Sequence, residues 1–152
     1  MKRGIGGIGV AILIGGCSLK VPEYAVCQQK GSYAPPFVCC KEELSGFGKA
    51  LSTKLERETI ADSFAVSQLW FRLEGETKLL LRWLGIKPPS HFWEKFRQFV
   101  TTRSKKVGEW EREGLYYSQF RLSKKELRHF LERELKLDFR KREVAELFEE
   151  LY

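Results

Sequence analysis

Residues 41–55 read KEELSGFGKALSTKL, and they mark the point at which the chain acquires a regular apolar pattern. The apolar residues of this stretch recur at spacings of three and four, which places them on one face of a helix. They are Leu44, Phe47, Leu51 and Leu55. No segment of the chain sustains the alternation of a half-buried strand for long. The stretch therefore favours a helical body that begins near Lys41.

Helical patterns continue after this stretch, with start and stop signals between them. A broad apolar face that contains Phe64 and Phe71 ends at Gly85, a residue suited to the left-handed conformation that closes a helix. Two prolines then prevent continuation, and Ser90 is a good N-cap for the helix that follows. The spacing of apolar residues predicts that this next helix runs to about Val107.

The clearest start of a helix lies at Ser123. Ser123 and Glu126 have the spacing of a capping box, and Leu122 and Leu127 have the spacing of a hydrophobic staple. A last apolar stripe, over residues 144–151, predicts a helix at the end of the chain.

Together these patterns predict an all-α fold. Residues 109–121 show no clean period and are interpreted as a short helix with a packed loop. The folded body, residues 41–152, is expected to be a compact bundle of five or six helices. Residues 17–40 contain three prolines and no helical period, so they are expected to form an irregular tether.

The first residues have the composition of an export signal. Lys2 and Arg3 precede an uncharged run of small and aliphatic residues, GIGGIGVAILIGG over positions 4–16. A positive start, a short apolar region and small residues before a cut site are typical of a secretory signal peptide. The run ends directly before Cys17.

The glycine pair followed by Cys17 resembles the lipobox of bacterial lipoproteins. The resemblance implies that residues 1–16 are removed and that the thiol of Cys17 carries acyl chains of the palmitate type. Because Ser18 stands where aspartate signals inner-membrane retention in many enteric members, it also implies an outer-membrane protein that faces the periplasm. Ordinary secretory cleavage is one alternative. Another is an uncleaved inner-membrane anchor on a basic helical protein, although residues 4–19 are shorter than the roughly 20 apolar residues of a spanning helix.

Lipidation of Cys17 leaves three further cysteines. An exported protein meets oxidising conditions, under which a disulfide from Cys27 to Cys39 or Cys40 is expected. One thiol would then remain unpaired and available for an intermolecular bridge. Neither the spacing of the cysteines nor a nearby histidine suits zinc. We therefore predict no metal and no cofactor.

Residues 120–152 are similar to the helix–loop–helix pairs of EF-hand proteins. With Glu126 at the last loop position, the upstream ligand positions fall on Leu115, Tyr117 and Gln119. A calcium site needs several oxygen ligands, chiefly carboxylates. The resemblance therefore implies at most an ion-free packing unit.

The charge of the chain restricts its partners. The formal net charge is +7, and a basic surface can meet anionic lipid, nucleic acid or another polyanion. Nucleic acid is the least available of these to an exported protein, so none is predicted as a partner.

The sequence also contains no asparagine and, as aspartate, only Asp62 and Asp138. Heavy use of Glu, Lys and Arg, together with few residues prone to deamidation, is typical of proteins from thermophiles.

Two groups of residues contain side chains of the types used in hydrolysis. Ser90 and His91 are adjacent, and adjacent side chains on a helix do not face each other. Glu109, Glu111 and Glu113 form an acidic run of the kind that supplies paired carboxylates for glycoside cleavage. The second group leaves a cell-wall or glycan hydrolase as an alternative function, and the main prediction is that the protein is not an enzyme.

Aromatic residues give the best indication of function in the sequence. The chain has four Trp, five Tyr and eleven Phe, and exposed aromatic patches commonly mark protein contacts. Tyr116 and Tyr117 cannot both point inward on a regular element. We therefore predict an adaptor or accessory subunit of a membrane-associated complex, which binds a partner protein through an aromatic–basic surface. The residues assigned to this surface are Trp93, Arg103, Lys105, Lys106, Trp110, Tyr116 and Tyr117.

Overall fold

The structure is a computed structural model. It describes residues 43–152 and, as backbone alone, Cys27–Gln29 and Ser32–Ala34. The signal peptide, the acylation residue Cys17 and both Cys39 and Cys40 lie outside the described residues, as does the side chain of Cys27.

The described elements follow one another from a short hairpin to a paired set of helices. They are β1 (Cys27–Gln29), β2 (Ser32–Ala34), β3 (Glu43–Leu51), α1 (Arg57–Leu84), α2 (Phe92–Arg103), β4 (Lys105–Arg112), β5 (Leu115–Ser123), α3 (Lys124–Leu135) and α4 (Arg142–Leu151). Strands β1 and β2 pair with each other inside the stretch expected to be an irregular tether.

The all-α prediction is wrong. The described part of the chain combines four helices with a three-stranded antiparallel sheet in the order β3-β5-β4. The fold is therefore mixed α and β, with β5 in the centre of the sheet and long-range pairing between β3 and β5.

Strand β3 occupies the stretch that was expected to be the first helix. Its glycines, Gly46 and Gly48, lie directly against α1, where a Cβ on Gly48 would overlap the carbonyl oxygen of Ala61. A Cβ on Gly46 would lie 2.7 Å from the Cβ of Leu69. Glycine weakens a helix by about 1 kcal/mol relative to alanine, and here it permits close contact between strand and helix. The apparent helical spacing of the larger residues was misleading because the small residues determine the packing.

Strands β4 and β5 form a hairpin over the stretch that showed no clean period. Its two-residue turn is Glu113-Gly114, with φ of 54° and 77°. Two successive positive φ values are typical of the type I′ turn that joins hairpin strands. Large side chains lie on both sides of these strands, so the alternation of apolar and polar residues is hidden.

Several predicted ends of helices are confirmed. Gly85 is left-handed, and the amide of Ile86 donates to the carbonyl of Leu81 at 2.9 Å. The hydroxyl of Ser123 accepts from the amides of Lys125 and Glu126, as an N-cap does. Ser90 is not a cap, because α2 begins at Phe92, and α2 ends at Arg103 rather than near Val107.

The EF-hand resemblance fails upstream of α3. The positions compared with the calcium loop lie in strand β5 rather than between two helices. The following pair, α3 and α4, packs through apolar side chains of the main core.

The main core lies where α1 meets the other helices and the ends of β3 and β5. Its largest fully buried side chains include Phe92, Phe96 and Phe148. A smaller cluster of Ala50, Ala61 and Tyr116 joins the sheet to the start of α1. This second contact positions the residues of the candidate site.

Candidate functional site

The register of the sheet divides its side chains between two sides. Directly opposed residues share a side, and successive residues alternate. Tyr117 is opposite both Lys49 and Trp110, whereas Tyr116 is opposite Ala50 and Glu111. The helix-facing side carries Tyr116, and the other side carries Tyr117. The expectation that the two tyrosines cannot both point inward is confirmed.

A network centred on Lys106 ties the helix-facing side of the sheet to α1. The Nζ atom of Lys106 lies 2.9 Å from Glu58 Oε2 and 3.1 Å from Asp62 Oδ1, both on α1. The same atom donates to Tyr116 Oη at 3.0 Å and pairs with Glu109 Oε1 at 3.0 Å. Tyr116 Oη in turn donates to Glu109 Oε1 at 2.8 Å.

The pairing of Lys106 with Glu109 depends on a bulge in β4. Lys106 is opposite Phe120 and Gly108 is opposite Gln119, so Val107 is the extra residue. Without an extra residue, side chains three apart on a strand lie on opposite sides. The bulge therefore brings Lys106 and Glu109 to the same side.

The pKa shifts in this network follow from burial and hydrogen bonding. Burial alone would lower the pKa of Lys106, but hydrogen bonds to Tyr116, Glu58, Glu109 and Asp62 outweigh it and raise that pKa well above its usual range. Burial raises the pKa of Tyr116 to about 12. The hydrogen bond from Tyr116, followed by that from Lys106, lowers the pKa of Glu109 despite partial burial.

These shifts favour a structural role for the network. A protonated Lys106 cannot act as a nucleophile, and a glycosidase acid needs a raised carboxyl pKa. Glu109 has the opposite shift, and Glu111 Oε2 lies 3.7 Å from Arg57 Nε. Glu113 is in the turn. The described residues also hold no group of histidines, cysteines and carboxylates suited to a metal ion.

The other side of the sheet combines cations with aromatic rings, and we call it the basic–aromatic side. It is defined by Lys49, Lys105, Trp110, Arg112 and Tyr117. Arg121 shares this side but is buried beside Glu43, the carboxylate at the far end of β3.

Two rings form the centre of the basic–aromatic side. Trp110 and Tyr117 pack with their centroids 5.8 Å apart, and both are partly exposed. The guanidinium of Arg112 lies 5.5 Å from the Trp110 ring, close enough for a cation–π contact. Lys49 is exposed on the far side of Tyr117. Because successive side chains of a strand point to opposite sides, these residues lie on the other side of the sheet from Glu109 and Glu111, which point toward α1.

Only some of the residues predicted to bind a partner lie together in the structure. Lys105, Trp110 and Tyr117 share the basic–aromatic side, while Lys106 and Tyr116 belong to the network on the opposite side. The remaining two predicted residues lie on α2 or at its end. Trp93 packs edge-on against Phe92 and Phe96, and Arg103 lies 3.5 Å from Glu126.

Sequence reasoning missed an exposed apolar face on α1. Phe64 and Phe71 were assigned to the inward face, yet their exposed fractions are 58% and 70%. The inward face there is made of Ala61 and Ala65, which contact the glycines of β3. The pair of glycines was the signal that could have revealed this arrangement.

A groove separates these exposed rings from strand β3. Its volume is about 430 Å³, and its lining residues are Phe47, Gly48, Lys49, Phe64, Ser67, Gln68 and Phe71. Lys49 belongs both to the groove and to the basic–aromatic side, so the two surfaces are continuous.

No protein-family model matches the chain, and no curated protein matches it either.

Proposed function

We propose that this protein is a lipid-anchored component of a bacterial cell envelope, and that it binds an acidic partner protein through the basic–aromatic side of its sheet. The anchor rests on the lipobox-like sequence that ends at Cys17. The adaptor role rests on the surface described above. No catalytic step is part of the proposal.

The separation of charge across β4 is the observation that carries the binding proposal. Its glutamates, Glu109 and Glu111, point toward α1 together with Lys106, which pairs with carboxylates there. Lys105 and Arg112 point to the other side. Like charges gathered on one side repel each other, whereas an acidic partner is attracted to them. Trp110 and Tyr117 add the amphipathic rings that are enriched at protein interfaces.

The anchor is tested separately from the domain. Of the helices that the structure describes, none is both long and apolar enough to cross a bilayer. Incorporation of labelled palmitate into the wild type, and its loss in Cys17→Ala, is expected. An intact mass that begins at an unmodified Met1 would contradict the lipoprotein assignment and favour the uncleaved anchor.

The binding surface is tested by photo-crosslinking in intact cells. A benzophenone amino acid in place of Trp110 is expected to crosslink a partner protein, and the same group in place of exposed Leu79 on α1 serves as a positional control. Lys49→Glu combined with Arg112→Glu should abolish the Trp110 crosslink by repelling an acidic partner.

A matched charge control uses Lys54→Glu with Lys87→Glu, both exposed and outside the basic–aromatic side. If both double variants lower the crosslink equally, net charge rather than this surface determines binding. If neither lowers it, the assignment of the surface is wrong.

A further inference from the structure

The edge of β3 carries backbone groups that face away from the sheet. Among the described strands, β3 pairs with β5 alone and is an end strand of the sheet. The amide of Phe47 donates to Gln68 Oε1 at 2.7 Å, and the carbonyl of Ser45 accepts from Arg72 Nη2 at 2.9 Å. Both bonds leave the sheet, because alternate residues of a strand direct their backbone groups to the same edge. By this alternation the amide and carbonyl of Lys49 also point outward.

The groove follows this outward edge. Phe47 and Gly48 form its strand wall, and Phe64 and Phe71 form its helix wall. Its volume of about 430 Å³ is within the usual range of about 300–1,000 Å³ for ligand pockets. An extended peptide at the edge would place alternate side chains against these rings while its backbone meets β3.

Charge indicates which kind of peptide fits. Lys49 is the charged residue in the lining of the groove, and its side chain is exposed. It also joins the groove to the basic–aromatic side, where Trp110 and Arg112 lie. The lining contains no carboxylate, so an acidic segment is attracted by Lys49 and meets no like charge in the groove.

We propose that the groove binds an extended acidic–apolar peptide segment of the partner, which pairs with the outer edge of β3 at Lys49. This inference rests on the proposed function and adds the mode of binding. The apolar side chains of the segment enter the groove between Phe64 and Phe71. Its carboxylates face Lys49 and the basic–aromatic side.

The probe is a short, end-blocked, fluorescent peptide of alternating glutamate and valine, and its binding to the full-length chain is followed by anisotropy. Phe71→Ser is expected to weaken binding by about tenfold through loss of apolar contact. Leu79→Ser, at another exposed apolar position of α1, is the matched control and should leave binding unchanged.

Backbone pairing is tested with proline. Because the amide of Lys49 points away from β5, Lys49→Pro removes an outward donor and leaves the ladder to β5 intact. Lys49→Pro should bind the probe about fivefold more weakly than Lys49→Ala, which removes only the charge. Thermal melts of both variants verify that they fold.

A modified probe makes the result independent of the folding of any variant. N-methylation of the valines blocks backbone pairing and should reduce binding to the wild type. Equal affinity for the methylated probe, or for an acidic peptide that forms a helix, would overturn strand addition. The proposed function would survive that result if crosslinking from Trp110 still depended on Lys49 and Arg112, and it would fail separately if it did not.

Discussion

Substitution of Gly48 by alanine tests the contact that determines the fold. A strand residue other than glycine normally favours a sheet, so local propensity alone predicts that Gly48→Ala stabilises the protein. The structure predicts the opposite, because the added methyl group would overlap Ala61 O and crowd the amide of Ala65. Both are backbone atoms of α1, so no side-chain rotation relieves the overlap.

The size of the expected loss in the free energy of unfolding follows from the displacement of α1 that the added methyl group requires. Overpacking of a core costs about 1–3 kcal/mol, and displacement of α1 also loosens the contacts of Ala61, Ala65 and Leu69, which are fully buried. We expect Gly48→Ala to lower the free energy of unfolding by about 3 kcal/mol and Tm by about 10 °C. Urea and thermal denaturation measure both quantities.

Gly75→Ala is the matched control. Gly75 lies in α1 with nothing within 4 Å of an added Cβ, so alanine there should raise the free energy of unfolding by about 0.5–1 kcal/mol. A Gly48→Ala variant as stable as the wild type would show that β3 and α1 are not in close contact.

Three further predictions concern stability. Lys106→Met should lower the free energy of unfolding by about 2 kcal/mol, because Glu58, Asp62 and Glu109 lose a shared cation. The raised pKa values of Lys106 and Tyr116 contribute stability that is present below about pH 10 and lost as pH rises toward 12. Urea titrations of the wild type are therefore expected to show a loss of stability above about pH 10, and Lys106→Met should make that loss smaller. Tyr152→Phe should cost about 1–3 kcal/mol by chemical denaturation, because Tyr152 Oη lies 2.6 Å from the buried hydroxyl of Thr77, and no loss would mean that this bond is not formed. Glu113→Asn should raise Tm, with a gain of about 0.5–1 kcal/mol, because asparagine tolerates the positive φ of this turn position better than glutamate; a lower Tm would contradict the type I′ assignment.

Local signals predicted two ends of helices correctly, at Gly85 and Ser123, and the sheet poorly. Ser123 and Gly85 act through neighbours a few residues away, so their roles could be read from the sequence. Strand β3 could not be recognised in the same way, because its pairing partner lies some 70 residues further on and its spacing also fits a helix. The same error assigned the wrong face of α1 to the core. Phe64 and Phe71 were expected inside, but α1 lies so close to the glycines of β3 that its facing residues there are the small Ala61 and Ala65.

The composition of the candidate site could be predicted from the sequence, but the arrangement of its residues could not. Composition indicated an aromatic–basic surface, and Trp110 and Tyr117 are neighbours in the structure. Sides could not be assigned within β4 and β5 because neither strand was predicted, and the bulge at Val107 also changes the phase of alternation within β4. Lys105 and Lys106 were grouped together, although as successive residues of a strand they point in opposite directions.

The bulge in β4 also makes the two margins of the sheet unequal. A bulge increases local twist and interrupts the regular spacing that a new neighbour would need, and charged side chains along β4 deter approach further. The pairing of β3 with β5 contains no bulge, and the groove lies beside β3. If a partner segment pairs with β3 as proposed, it extends the sheet at the edge without the bulge, and docking would then end after one added strand instead of continuing into an open-ended stack of chains.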